Sequence, residues 1–344
     1  MKIDIFKPFF LKVENTPLYE AWMSIGKDIK FYSGGMSAKY KNTIDMLIFL
    51  YPKLLYFAIY NSILSFVKRN PDYLIVDTDV EALCASVVKF VLRRNTKIIL
   101  LCFIFTKRST KAVRAVRKYY YKFILSRCHR VICHSKYEVR FFSRYFGIDK
   151  GFFYYVPYAL HVVSPKDNHL DFPPPYIVSA GRSNRDYKTL ATAAENLPYK
   201  FIIICDGLNI PNCPANVEIV SGCYGKDYID ILRGAELVVI PLVDQGISAG
   251  QMVLLQAMAL GKAVVITKVK ANVDYLCHNK TAYTVRARDV DELRMAIVKL
   301  MENNKLRGKI SKQGNMYYSE NHTFEKYVKN IALIFESSNE RAFL

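Results

Sequence analysis

Short aliphatic and β-branched runs alternate along the chain with longer segments of helical period. That alternation predicts an α/β protein with parallel sheets buried on both faces. The clearest case is 237–267. Leu237, Val238, Val239 and Ile240 make a continuous apolar run, and a small-residue loop follows from Asp244 to Gly250. Residues 251–260 are strong helix formers without proline, Gly261 stands where a helix stops, and Ala263, Val264, Val265 and Ile266 form the next run. This is a βαβ unit in about thirty residues. Its loop lies at the carboxyl end of a strand and the amino end of a helix. There the free amides and the helix dipole favour a phosphate. Ser248, Gln251 and Gln256 are polar among apolar neighbours. An apolar helix against a sheet has little use for two amides unless they meet a partner.

The same period runs through most of the chain. Strands are predicted at 72–78, 97–105, 130–136 and 152–158, with helices at 80–93 and 138–146. Ser135 caps the second of these helices and Gly147 stops it. Asp77, Thr78 and Asp79 end a strand, where Thr78 or Asp79 reads as a helix cap. Prolines and aspartates at 159–174 mark a linker. Further strands fall at 176–181, 201–205, 217–222 and 282–285. Helices fall at 188–197, 226–235, 289–302 and 324–335, with a short one at 272–277. Residues 1–70 carry the weakest pattern. Residues 44–67 read as one or two helices broken near Pro52, with an aromatic face expected in the core and an interfacial role as the alternative. Gly34 and Gly35 lack a clear preceding strand and receive no role. A chain of 344 residues is long for a single core, so two domains are expected.

The loop after 176–181 adds chemistry. Gly181-Arg182-Ser183-Asn184-Arg185 places two cations at a strand end, close enough in sequence to clamp a diphosphate and neutralise a leaving group.

The segment 246–267, Gly-Ile-Ser-Ala-Gly-Gln-Met-Val-Leu-Leu-Gln-Ala-Met-Ala-Leu-Gly-Lys-Ala-Val-Val-Ile-Thr, resembles the donor-binding segment of GT-B glycosyltransferases, family 4-like. The resemblance covers nearly all of 130–335 and is strongest in 176–267. It implies two Rossmann-like domains facing across a cleft. These are an acceptor-side domain at 1–158, the linker at 159–174, a nucleotide-sugar-binding domain at 175–325, and a helix at 326–344 crossing back. It implies retention of anomeric configuration without a metal. Arg182 matches the family's diphosphate arginine; Arg185 matches its lysine, or Lys188 if the loop is aligned from its start. Gly181, Ser248, Ala249, Gly250 and Gln251 fall at the donor site, and Tyr224 where the nucleobase is held. Two family glutamates, for the sugar and the ribose, correspond to Ser248 and Gln256, so both acids are absent here. The histidine common after the strand matching 97–105 is also absent.

Charge and composition place the chemistry. The net charge of +19 calls for an anionic partner. The 25 tyrosines and 21 phenylalanines, mixed with Lys and Arg most densely at 107–130, suit an anionic membrane surface. A solvated helix face would show the same spacing. No signal peptide is visible, and the most apolar stretch, 44–67, is interrupted by Asp45, Pro52, Lys53 and Asn61. The eight cysteines lack paired spacing and read as reduced thiols. Cys128-His129 and Cys133-His134 form a ligand-like cluster with no second pair at zinc spacing, so Cys133 is read as a small core residue.

The expected activity is transfer of a sugar from a nucleotide-sugar donor to a lipid-linked or saccharide acceptor. It would serve cell-surface polysaccharide or glycoconjugate synthesis, from a cytoplasmic, peripheral position at the inner membrane face, with no cofactor. A non-catalytic GT-B-like partner subunit, and a nucleic-acid-binding protein using its charge, remain alternatives. No nucleic-acid motif is present, and the basic residues interleave with apolar ones.

Overall fold

A computed structural model describes the chain except at residues 15, 37–45, 104, 106–109, 163–171, 174, 244–245, 247 and 338–344. The expectations for Asp45, for 107–109, for most of the linker, and for Asp244, Gln245 and Ile247 lie outside the described residues. The chain divides into two compact units, Met1–Val156 with Tyr327–Leu344, and Pro157–Lys326.

The first unit holds a six-stranded parallel sheet. Its elements are β1 (Lys2–Lys7), α1 (Pro17–Met23), β2 (Asp28–Ser33), α2 (Tyr51–Lys68), β3 (Tyr73–Val76), α3 (Asp79–Val91), β4 (Lys97–Leu100), α4 (Lys111–Arg127), β5 (Arg130–Cys133), α5 (Lys136–Phe146) and β6 (Phe153–Tyr155). The strand order is β2-β1-β3-β4-β5-β6. Two local rules place α3 and α5. Thr78 and Glu81 form a capping box on α3, and the Ser135 hydroxyl caps α5, which ends at Gly147 with φ +64.

Three expectations for this unit change. Residues 2–7 and 28–33 are strands, so Gly34 does follow one. Charges had hidden β1: Asp4 is fully buried, but its carboxylate accepts from the Tyr32 and Ser65 hydroxyls and from Arg69 Nε. Pro52 does not break a helix. It stands in the first turn of α2, where its missing amide costs nothing, and a π-helical turn Met46–Leu50 precedes it. The aromatic face of 44–67 is split. Phe57 and Phe66 are buried, but Phe49, Tyr51, Tyr56 and Tyr60 are exposed.

The second unit holds β7 (Tyr176–Ala180), α6 (Tyr187–Ala194), β8 (Lys200–Ile204), β9 (Val217–Val220), α7 (Gly225–Gly234), β10 (Leu237–Ile240), α8 (Gln251–Ala259), β11 (Ala263–Thr267), β12 (Tyr283–Val285), α9 (Val290–Glu302) and α10 (Asn304–Asn321). The order is β12-β11-β10-β7-β8-β9, all parallel. The strands β7, β10 and β11 are fully buried, as their unbroken apolar runs require. The expected helix at 272–277 is a single 3₁₀ turn, Val273–Tyr275. Helix α10 had no signal, because it is polar around most of its circumference, with only Ile310 and Gly314 buried. A last helix, α11 (Phe324–Ser337), enters the first unit from Tyr327, where Phe335 packs on Tyr73 at 4.7 Å between ring centroids.

Candidate active site

In the second unit the sheet runs outward from β7 through β8 and β9, then returns to the other side of β7 with β10. The gap between β7 and β10 is therefore a topological switch point, the place where open α/β sheets bind ligands. Both loops singled out from sequence end there.

The loop after β7 is stitched to the segment after β10. Asp186 N donates to Pro241 O at 3.1 Å, Val243 N donates to Asn184 O at 3.1 Å, and Arg185 bridges Leu242. Gly181 takes φ +102, and a Cβ there would lie 2.5 Å from Arg185 Nη2. Only glycine lets the chain pass that close to the guanidinium. Arg185 Nε donates to Ala180 O at 2.9 Å and its Nη1 to Ser183 O at 2.8 Å. Burial pulls its pKa down, against the pull of the Tyr187 and Tyr228 phenols. Much of Arg185 thus holds its own loop in shape. Arg182 is exposed and makes no hydrogen bond or ion pair among the described residues. Lys188 is also exposed, in the first turn of α6.

The loop after β10 delivers the start of α8. Gly250 precedes the helix with φ +84 and gives no side-chain cap, so the first amides of α8 have no side-chain acceptor at the cap. A Cβ at Gly250 would press on Ile240 Cγ2 at 3.2 Å and Leu242 Cδ1 at 3.3 Å. Ala249 is buried and Ser248 half-buried just before it. Gln251 departs from expectation. Its side chain is buried and its Nε2 donates to Ala271 O at 3.2 Å, so it ties α8 to the loop after β11. Gln256, one turn further, accepts from the Tyr228 hydroxyl at 2.8 Å. Burial raises the Tyr228 phenol well above its ordinary value, so it stays a donor.

The loops after β8 and β9 meet at Asp206. Its Oδ1 accepts from Gly222 N at 2.8 Å, and its Oδ2 accepts from the Tyr224 hydroxyl. Tyr224 is nearly half exposed at the start of α7. Asp206 and Tyr228 were not found from sequence. Each acts on a residue in another loop, and no spacing rule links them.

At the carboxyl edge of the first unit's sheet, Lys7 Nζ pairs with Asp77 Oδ1 at 2.8 Å. Burial works against the Lys7 charge, but Asp77 outweighs it and the pKa moves up. Glu81 beside them is fully buried. Burial, reinforced by Asp77, raises its carboxyl to about 8. Asp79 begins α3 and Thr78 caps it, as expected of one of them. Cys133 is buried with its thiol pushed up by that burial, and His134 Nδ1 lies 3.0 Å from Val156 O. Among the described residues no group of three or more His, Cys, Asp or Glu gathers around either histidine.

Residues 174–303 match the family model described as glycosyl transferases group 1. An uncharacterized glycosyltransferase of Methanocaldococcus jannaschii, MJ1178, is 20% identical over 240 residues. That alignment covers 65% of this chain and spans 64% of the relative's length. A glycosyltransferase from Rickettsia africae superposes with a TM-score of 0.70 at 15% identity, over 99% of both chains. Anabaena HepE, solved in complex with UDP-glucose, superposes with a TM-score of 0.66 at 13% identity, over 98% of this chain and all of that one. The chain therefore has the GT-B fold of two Rossmann-like domains.

Proposed function

We propose that this chain is a glycosyltransferase of group 1 that transfers a sugar from a nucleotide-sugar donor to a lipid-linked or saccharide acceptor. The observation that carries the reading is the switch point of the second unit. There the Gly181–Arg185 loop is stitched to Leu242, beside the uncapped start of α8. The HepE complex with UDP-glucose on the same fold supports a nucleotide sugar as donor.

In this reading the diphosphate sits on the first amides of α8, where the helix dipole favours it. Arg182 supplies the outward cation, while Arg185 shapes the loop and keeps part of its fork for the phosphates. Together they neutralise the departing nucleoside diphosphate, which carries most of the charge that develops as the glycosidic bond breaks. Gln256 meets a ribose hydroxyl and Tyr224 lies against the nucleobase. The transfer retains anomeric configuration and needs no metal to carry the leaving-group charge. The chain works in the cytoplasm at the inner membrane face, in polysaccharide or glycoconjugate synthesis.

One observation favours a second reading. Ser248 and Gln256 stand where the family has two acids, so the chain could bind a nucleotide sugar without turning it over. A thermal-shift screen against nucleoside diphosphates and nucleotide sugars tests the donor site. A ligand at 100 times its dissociation constant stabilises a protein by roughly 2.7 kcal/mol. No shift with any of them overturns both readings. A shift without nucleoside diphosphate release, across a panel of acceptors, selects the non-catalytic one.

A further inference from the structure

We propose that the outer face of α2, α3 and α4 is a docking surface for an anionic phospholipid bilayer, with α2 lying in the interface rather than crossing it. This rests on the membrane setting of the reading above, not on glycosyl transfer.

Topology makes one surface of the three helices. Each connects parallel strands while moving the same way across the sheet, from β2 to β3, β3 to β4 and β4 to β5. Right-handed crossovers therefore put all three on one face of the sheet. Helix α3 packs against α2 on one side and α4 on the other. Of the 27 large apolar side chains exposed among the described residues, seven are on α2, three on α3 and five on α4. The most open are Tyr56 at 70%, Phe90 at 79%, Val116 at 70% and Tyr119 at 75%. Scattered exposed apolar residues need no explanation, but a concentration of this size on one layer does.

The charges on this layer choose the occupant. Neither α2 nor α4 contains an acidic residue. Those of α3 are Asp79 and Glu81 in its first turn, and Glu81 is buried. Lys53, Lys68 and Lys122 are exposed among the apolar side chains, and Lys118 is half-buried. A second copy of the chain on this face would set lysine against lysine, which disfavours self-association. An anionic headgroup layer over an acyl boundary matches both properties at once.

The segment Ile48–Lys68 is long and apolar enough to cross a membrane by length and composition. Its contacts argue for the interface instead. Leu54, Phe57 and Phe66 are buried in the first unit, and Ser65 Oγ donates to the buried Asp4 carboxylate at 2.6 Å. A crossing helix would strip those partners from β1.

Cosedimentation of the full chain with phosphatidylglycerol–phosphatidylcholine vesicles tests the surface, with pure phosphatidylcholine as control. The wild type is expected to bind the anionic vesicles, and to remain partly bound at about 0.5 M salt, where exposed charges are screened. The triple variant Tyr56→Ser, Tyr60→Ser, Phe90→Ser is expected to lose on the order of a hundredfold in partition, from lost apolar burial. Lys53→Gln with Lys118→Gln and Lys122→Gln is expected to weaken binding at low salt and to leave the salt-resistant part. Phe90→Asp alone perturbs the fold least and should also reduce partition. Circular dichroism, and the nucleoside-diphosphate thermal shift from the second unit, should match wild type in every variant. A failed donor site is thereby read separately. Equal partition of wild type, the triple variant and Phe90→Asp overturns the proposal. So does wild type that ignores anionic vesicles, or a triple variant that only converts a dimer to a monomer.

Discussion

The Tyr228 hydroxyl donates to Gln256 Oε1 at 2.8 Å, which sets the orientation of the amide. With Oε1 occupied from α7, Nε2 is the group that remains, and among the described residues it makes no hydrogen bond. A carboxylate at this position would offer acceptors. The amide offers a donor, which a ribose hydroxyl oxygen can accept.

Gln256→Ala is therefore expected to weaken nucleotide-sugar binding by roughly 1 kcal/mol, the worth of a neutral hydrogen bond. Gln256→Glu should bind as well or better, because one oxygen can still accept from Tyr228 while the other accepts from the ribose. Gln256→Leu should fold but transfer poorly. Tyr228→Phe should lower stability by about 1 kcal/mol and free the amide to rotate. Calorimetry and nucleoside diphosphate release measure these. Full activity in Gln256→Leu would show that Gln256 is only packing.

The two arginines of the β7 loop should separate. Arg182→Ala is expected to weaken nucleoside-diphosphate binding by roughly 1.5–3 kcal/mol, the worth of a hydrogen bond to a charged group, at unchanged melting temperature. Arg185→Ala should lower both, because the carbonyls of Ala180 and Ser183 lose their donors. Arg185→Lys should not restore stability, since an ammonium cannot reproduce the fork. An Arg182→Ala protein that binds like wild type removes Arg182 from the site.

Gly250→Ala should cost about 1–2 kcal/mol of stability from its left-handed backbone alone. The new Cβ also meets Ile240 and Leu242, so the start of α8 should shift. Diphosphate affinity is expected to fall further than stability does, which parallel melting and titration would reveal. Gly261→Ala shares a positive φ but lies at the far end of α8, with contact only at 4.0 Å. It should lower stability and leave affinity unchanged.

Glu81 should make the first unit less stable as pH rises. Its folded pKa of about 8 lies above the reference 4.5, so the folded state holds the proton more tightly. The contribution is complete below the unfolded value and is lost as pH climbs to the folded one. Glu81→Gln keeps an oxygen for Thr78 N and for its hydroxyl but carries no charge. Urea unfolding at about pH 5 and about pH 9 should show the variant gaining on wild type at the higher pH. A constant difference would mean Glu81 stays ionised throughout.

Much of the second unit was legible in the sequence. Strands β7, β10 and β11 are buried on both faces and so are apolar at every position, and Gly181, Gly250 and Gly261 punctuate them at positive φ. These signals are local: a run of side chains or a single glycine carries them. The Ser135 cap was legible for the same reason, and the cap of α3 to within one residue, since each cap bonds an amide three residues away.

What needed a distant partner was not legible. Lys2, Asp4 and Lys7 break the apolar run of β1, and only Tyr32, Ser65, Arg69 and Asp77 show why those charges belong there. Helical period showed that α2 has a broad apolar face. It did not show that Tyr56 and Tyr60 turn away from the sheet while Phe57 and Phe66 turn toward it. Gln251 and Gln256 looked alike as amides on an apolar helix, yet one is taken by Ala271 and the other is aimed by Tyr228. The sequence by itself determined the strands, the caps and the two loops of the site, because those follow from neighbours along the chain. Which polar groups the fold consumes, and which it leaves without a partner in the chain, was decided only when residues far apart in sequence were packed together.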